Sequence, residues 1–109
     1  MAHVAVTGGA GFIGSNLVAA LAEKGHSISV VDDLSTGLAS NIDPSICDFY
    51  EISLVDHEPL ASALLKAEVI FHLGARGSVP RSLKSPVATH DVNATGTLNV
   101  LEIARESGA

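Results

Sequence analysis

The feature that most restricts what this chain can fold into is Val6-Thr7-Gly8-Gly9-Ala10-Gly11-Phe12-Ile13-Gly14. A short apolar run, residues 2–7, stops at Gly8. A helical pattern begins at Phe12. The three glycines at 8, 11 and 14 have separate tasks. Gly8 allows a tight turn off the strand, Gly11 leaves room for a pyrophosphate to approach the backbone, and Gly14 lets the helix pack close to the strand. A pyrophosphate would rest on the free N–H groups around Gly11 to Ile13, where the helix dipole favours negative charge. A glycine triplet alone is a weak sign, and a glycine-rich structural turn is its plain alternative. Strand, turn, helix and second strand in sequence make the motif specific. A Walker-type phosphate loop is excluded, because no Gly-Lys-Ser/Thr follows.

The remaining periodicity fits the same architecture. Residues 12–24 read as a helix with Ile13, Leu17, Ala20 and Leu21 on one face and Gly25 as its C-cap. Residues 27–31 read as a second strand, and 34–45 as an irregular glycine- and serine-bearing stretch. Residues 47–51 read as a weaker third strand. Asp56 is positioned to cap a helix carrying Leu60, Ala61, Leu64 and Leu65. Residues 68–73 read as a fourth strand, and 74–84 as a loop with one helical turn after Pro80. Ser85 and Pro86 start a helix that runs to about Glu106 and stops at Gly108. Strands alternating with helices imply an α/β fold: a parallel, doubly wound sheet of the Rossmann type, with helices on both faces. The expected order of the four strands is 3-2-1-4, part of the full doubly wound pattern. No linker, repeat or low-complexity stretch divides residues 1–109, which read as one domain.

Charge and composition exclude several functions. Twelve acidic residues against six basic ones give a net charge of −6. That disfavours a nucleic-acid partner, which wants a basic face. No run approaches the roughly 18 apolar residues of a membrane span, and the start lacks a signal-peptide pattern. One cysteine, Cys47, has no internal partner and fits a reducing cytoplasm.

Asp32 ends the second strand 18 residues beyond Gly14. An acid near that spacing bonds the adenosine ribose hydroxyls and repels a 2′-phosphate. No lysine or arginine lies between Lys24 and Lys66 to accept one, so NAD is expected over NADP. A turn-capping role is the structural alternative for Asp32.

Here the chain resembles a family. Residues 7–17, Thr-Gly-Gly-Ala-Gly-Phe-Ile-Gly-Ser-Asn-Leu, are similar to the cofactor loop of extended short-chain dehydrogenase/reductases, and more narrowly of the NAD-dependent epimerase/dehydratase family. Val31-Asp32-Asp33-Leu34-Ser35-Thr36-Gly37, Phe71-His72-Leu73-Gly74-Ala75, Ser78-Val79-Pro80-Arg81-Ser82 and Val92-Asn93-Ala94-Thr95-Gly96-Thr97 resemble further family segments in order. UDP-glucose 4-epimerase-like proteins are the nearest subgroup. The resemblance implies that Gly8, Gly11, Phe12, Ile13 and Gly14 hold the pyrophosphate. It implies that Asp32 binds the adenosine ribose, with Asp33, Ser35, Thr36 and Gly37 close by. Ser53 and Leu54 stand where the family's Asp-Ile pair reads the adenine. Leu73, Gly74 and Ala75 would line the nicotinamide side, with Asn93 beneath from the long helix.

The family's catalytic Tyr-x-x-x-Lys pair has no match. The sole tyrosine is Tyr50, and Leu54 stands four residues on. The chain therefore reads as the N-terminal, cofactor-binding portion of a nucleotide-sugar epimerase or dehydratase, inactive alone. A non-catalytic NAD-binding module is the alternative. The resemblance also implies a homodimer formed through the long helix of the parent enzyme. His3, His26, His57, His72 and His90 are scattered without metal-ligand spacing, so no metal is expected, and His72 reads as structural. Arg76 and Arg81 follow the fourth strand, at the ligand-binding edge of such a sheet, where either can meet a nucleotide phosphate.

Overall fold

In the computed structural model, which describes residues 1–109, four parallel strands form one sheet of order β3-β2-β1-β4. The strands are β1 (His3–Thr7), β2 (Ser27–Asp32), β3 (Asp48–Glu51) and β4 (Val69–His72). Helix α1 (Phe12–Glu23) connects β1 to β2, and α2 (His57–Leu64) connects β3 to β4. After β4 come α3 (Val79–Lys84), α4 (Pro86–His90), a π-helical turn (Asp91–Thr95) and α5 (Gly96–Ser107). The α/β class and the strand order match those read from the sequence.

Two cores sandwich the sheet because side chains alternate along each strand. Val4 and Val6 of β1 and Val30 of β2 pack with Val18 of α1 on one face. Ala5 and Val31 pack with Leu60 and Leu64 of α2 and Val100 and Ile103 of α5 on the other. The central strands β1 and β2 are therefore buried on both sides, as continuous apolar runs in parallel sheets require.

Three details differ from expectation. Helix α1 turns Gly14 and Val18 to the sheet and leaves Ile13 and Ala20 exposed. The contact of Gly14 with the glycine loop sets the rotation of the helix, and the buried face follows at i+4. In α2 the buried set is Leu60, Ala63 and Leu64, while Leu65 is exposed. Asp56 occupies the N-cap position, but its side chain accepts no capping hydrogen bond.

Strand β4 is half-buried on one face and exposed on the other. Val69 and Phe71 pair in register with Val4 and Val6, on the α1 side of the sheet. Helix α1 packs mainly on β1 and β2, and Val69 and Phe71 remain 44% and 37% exposed. Nor is the long helix uninterrupted. Its π turn opens where the Thr97 hydroxyl bonds the carbonyl of Asn93 at 2.6 Å, and where Gly96 presses against Leu54. Beyond α5, Gly108 is left-handed (φ 83°) and ends the helix as expected.

Candidate functional site

The carboxyl ends of β1, β2 and β4 open into a cleft, the place where doubly wound sheets bind ligands. The glycine loop forms its floor. Gly8 has φ +73°, a conformation that disfavours other residues, and a Cβ on it would lie 2.8 Å from the Gly74 nitrogen. A Cβ on Gly14 would overlap the Gly8 carbonyl oxygen. Both positions are thus fixed by the protein's own packing. Gly11 differs. A Cβ there would meet only the Gly8 oxygen, at an ordinary 3.4 Å. The protein leaves that direction open toward the cleft that Gly11 lines.

Next to Gly11, helix α1 starts uncapped. No side chain accepts from the N–H groups of its first turn, and that turn holds no acidic residue. The first amide to find an acceptor is that of Ser15, which bonds the Gly11 carbonyl at 2.9 Å; those of Phe12, Ile13 and Gly14 have none. Three free N–H groups at the positive end of a helix form an anion cradle.

Asp32 braces this loop. One carboxylate oxygen accepts from the Ala10 N–H at 3.0 Å and the other from the Leu34 N–H at 2.8 Å. Leu34 is one of two non-glycine residues with positive φ (61°), and its bond to Asp32 holds it there. The Ala10 carbonyl in turn accepts from the Asn41 side chain at 2.8 Å and the Leu38 N–H at 3.2 Å. The turn-organising role of Asp32 is therefore present. Each carboxylate oxygen keeps a second lone pair, and Asp32 lines the cleft.

The opposite wall is tied down by a directional chain of hydrogen bonds. The Thr97 hydroxyl donates to the Asn93 carbonyl, so its own oxygen accepts from His72 Nε2 at 3.0 Å. His72 Nδ1 then accepts from the Thr7 hydroxyl at 2.6 Å, and Thr7 Oγ1 accepts from the Gly74 N–H at 3.1 Å. This order requires a neutral imidazole. Burial, which disfavours the charged ring, holds the His72 pKa below its ordinary 6.5. His72 thus joins β1, β4, the loop after β4 and the long helix.

The structure gathers eleven of the sixteen residues named from the sequence into the cleft lining. They come from the glycine loop (Gly8, Gly11), from residues 32, 33 and 35–37 after β2, from Leu54, and from Leu73, Gly74 and Ala75 after β4. Phe12, Ile13 and Gly14 are not in the lining; Phe12 and Ile13 are exposed and Gly14 is buried. Ser53 turns to the Val55 N–H. Asn93 grips the backbone of Arg76 instead: its Oδ1 accepts from the Arg76 N–H at 2.7 Å and its Nδ2 donates to the Arg76 oxygen at 2.9 Å. Sequence reasoning missed Ile52 and Val92, which complete the apolar wall. Ile52 is an ordinary apolar residue with no motif to mark it, and Val92, though it opens the segment that carries Asn93, has no polar group to suggest a contact. Of the two arginines singled out, Arg76 lines the cleft and Arg81 does not. Tyr50 lies on β3, outside the cleft.

The profile of a known family, "NAD dependent epimerase/dehydratase family", matches residues 4–109. UDP-glucuronic acid decarboxylase 1 of Danio rerio is 35% identical over 107 residues, covering 98% of this chain and 25% of that protein. The UDP-glucose 4-epimerase of Thermotoga maritima, solved with UDP-glucose, superimposes with a TM-score of 0.94 at 38% identity. That match covers 98% of this chain and 35% of that one. The UDP-glucose 4-epimerase of Thermus thermophilus, solved in complex with NAD, gives a TM-score of 0.90 at 38% identity, covering 97% and 34%. The chain thus spans about a third of the epimerases and a quarter of the decarboxylase.

Proposed function

The chain belongs to the NAD dependent epimerase/dehydratase family, and from that premise we propose that its cleft binds NAD as the cofactor-holding part, residues 1–109, of a nucleotide-sugar enzyme. The observation that carries this reading is the uncapped start of α1 beside the glycine whose side-chain direction the protein leaves open. Backbone N–H groups at Phe12, Ile13 and Gly14 would take the pyrophosphate. Asp32 would accept from the adenosine ribose through its remaining lone pairs. Ser35, Thr36 and Gly37 would flank that ribose, and Leu54, with Ser53 beside it, would lie against the adenine. Leu73, Gly74 and Ala75 would line the nicotinamide side. Asn93 acts one step back, by fixing the loop that carries them.

NAD, when bound, supplies reversible hydride acceptance. The chain's residues hold and orient it. In a longer polypeptide that brings a base, such as a Tyr-x-x-x-Lys pair, the hydride would pass to and from a nucleotide sugar. Relatives named both as epimerases and as a decarboxylase share this portion, so the outcome at the sugar is set elsewhere. A homodimer through the long helix, which exposes Val87, Leu98 and Leu101, and a cytoplasmic setting belong to the same proposal.

Calorimetric titration tests the cofactor reading. NAD should bind and NADP should bind at least tenfold more weakly. A phosphate near Asp32 meets a repulsion of about 1–4 kcal/mol at ~4 Å. A folded chain that binds no NAD would refute the proposal. The same chain should not convert UDP-glucose to UDP-galactose.

A further inference from the structure

We infer that Arg76 is the diphosphate-binding cation of the cleft. The inference deepens the cofactor reading and rests on it for the place of the ligand. Arg76 is the one cationic residue in the cleft lining, which also holds Asp32 and Asp33. Its guanidinium forms no ion pair; the molecule's single ion pair is Arg105 with Glu102, on α5. Nor does it make a hydrogen bond, and its Nε is sealed from solvent without an acceptor. A solvated arginine would keep that N–H in water. A structural one would give it a carboxylate or carbonyl. The Arg76 Nε does neither, so that donor is unspent at a ligand-binding edge.

The backbone around it is held in place. Asn93 of the π turn bonds both the N–H and the carbonyl of Arg76, so the guanidinium stem leaves from a tethered point in the loop after β4. Gly11, at the start of α1, lines the same cleft, and the α1 amides that follow it are free. A fork of N–H donors in the same cleft as the start of that cradle suits a bridging, doubly charged oxyanion, for which arginine geometry is apt. Neither acid pairs with it. Asp32 accepts from two backbone N–H groups, and Asp33 accepts from the Ser35 N–H at 3.0 Å. The diphosphate has two possible sources, the dinucleotide and a nucleotide sugar, and both present the same oxygens.

Inorganic pyrophosphate is the first probe, titrated calorimetrically into the folded chain and into Arg76→Gln, Arg76→Lys and Arg81→Gln. Circular dichroism and thermal melts establish that each is folded. Wild type and Arg81→Gln should bind alike, Arg76→Lys, which keeps the charge without the fork, should bind with intermediate affinity, and Arg76→Gln should lose at least tenfold, the scale of a charge-assisted hydrogen bond. Arg81→Gln removes the same charge outside the cleft, so it separates a local contact from net charge. Titration with NAD and with UDP then assigns the source. A loss confined to NAD means the dinucleotide; a loss confined to UDP means the nucleotide sugar. Equal pyrophosphate affinity in wild type and Arg76→Gln, or no pyrophosphate binding by folded wild type, overturns the inference. Failure of wild type to bind NAD while pyrophosphate binding still depends on Arg76 would sink the cofactor reading and leave this one standing.

Discussion

Gly11 and Gly14 look alike in the sequence and do opposite work in the structure. A Cβ at Gly11 meets only the Gly8 oxygen, at an ordinary contact of 3.4 Å, so Gly11→Val should fold normally and lose NAD affinity by at least tenfold, read by calorimetry alongside a melt. Alanine at Gly14 meets the Gly8 carbonyl. Gly14→Ala should therefore destabilise the fold by on the order of 2 kcal/mol, read as a lowered urea midpoint. His72 makes a pH-dependent contribution. Its pKa in the fold lies below the ordinary 6.5 because burial disfavours the charged ring. Below that value the unfolded chain takes up more protons than the folded one, so stability present above pH 6.5 falls as pH drops through the folded pKa. Urea midpoints for wild type should decline between about pH 7.5 and about pH 5.5, and His72→Gln should flatten that part of the decline.

At the scale of elements, the π turn is the place where local propensity gives way to tertiary contact. The sequence from Pro86 onward reads as one helix, and nothing in its periodicity marks Asp91–Thr95. The turn is fixed by partners distant in sequence: Arg76 through Asn93, His72 through Thr97, and Leu54 through Gly96. Asn93→Ala removes both bonds to Arg76. Amide exchange at Arg76 should then speed up by about tenfold or more, and stability should drop by about 1–3 kcal/mol. Unchanged exchange would mean that the loop is held by other contacts. The extents of helix α1 and of strands β1 and β2, by contrast, follow their sequence signals closely, because their apolar runs and flanking glycines leave one workable arrangement; only the face that α1 buries departs from them.

Across the whole molecule, the sheet has a partly bare edge. Strand β4 pairs with β1 on one side only, and Val69 and Phe71 on its α1-side face are uncovered. Open edges with apolar side chains template association. The chain should self-associate with rising concentration in analytical ultracentrifugation, and Phe71→Lys should suppress this without lowering NAD affinity. By itself the sequence determined the α/β class, the strand order, the glycine loop and Asp32. Those follow from short-range signals: alternating periods, glycines at a strand–helix junction, and an acid at the end of the second strand. The other cleft residues, 33, 35–37, 54 and 73–75, were implied by the family resemblance. Only the tertiary structure decided that Asp32 braces the glycine loop, that Asn93 grips Arg76, and that Ile52 and Val92 close the wall. It alone separated Arg76 from Arg81. Each of these depends on which residues far apart in the chain share one small volume, and no local pattern of residues encodes that.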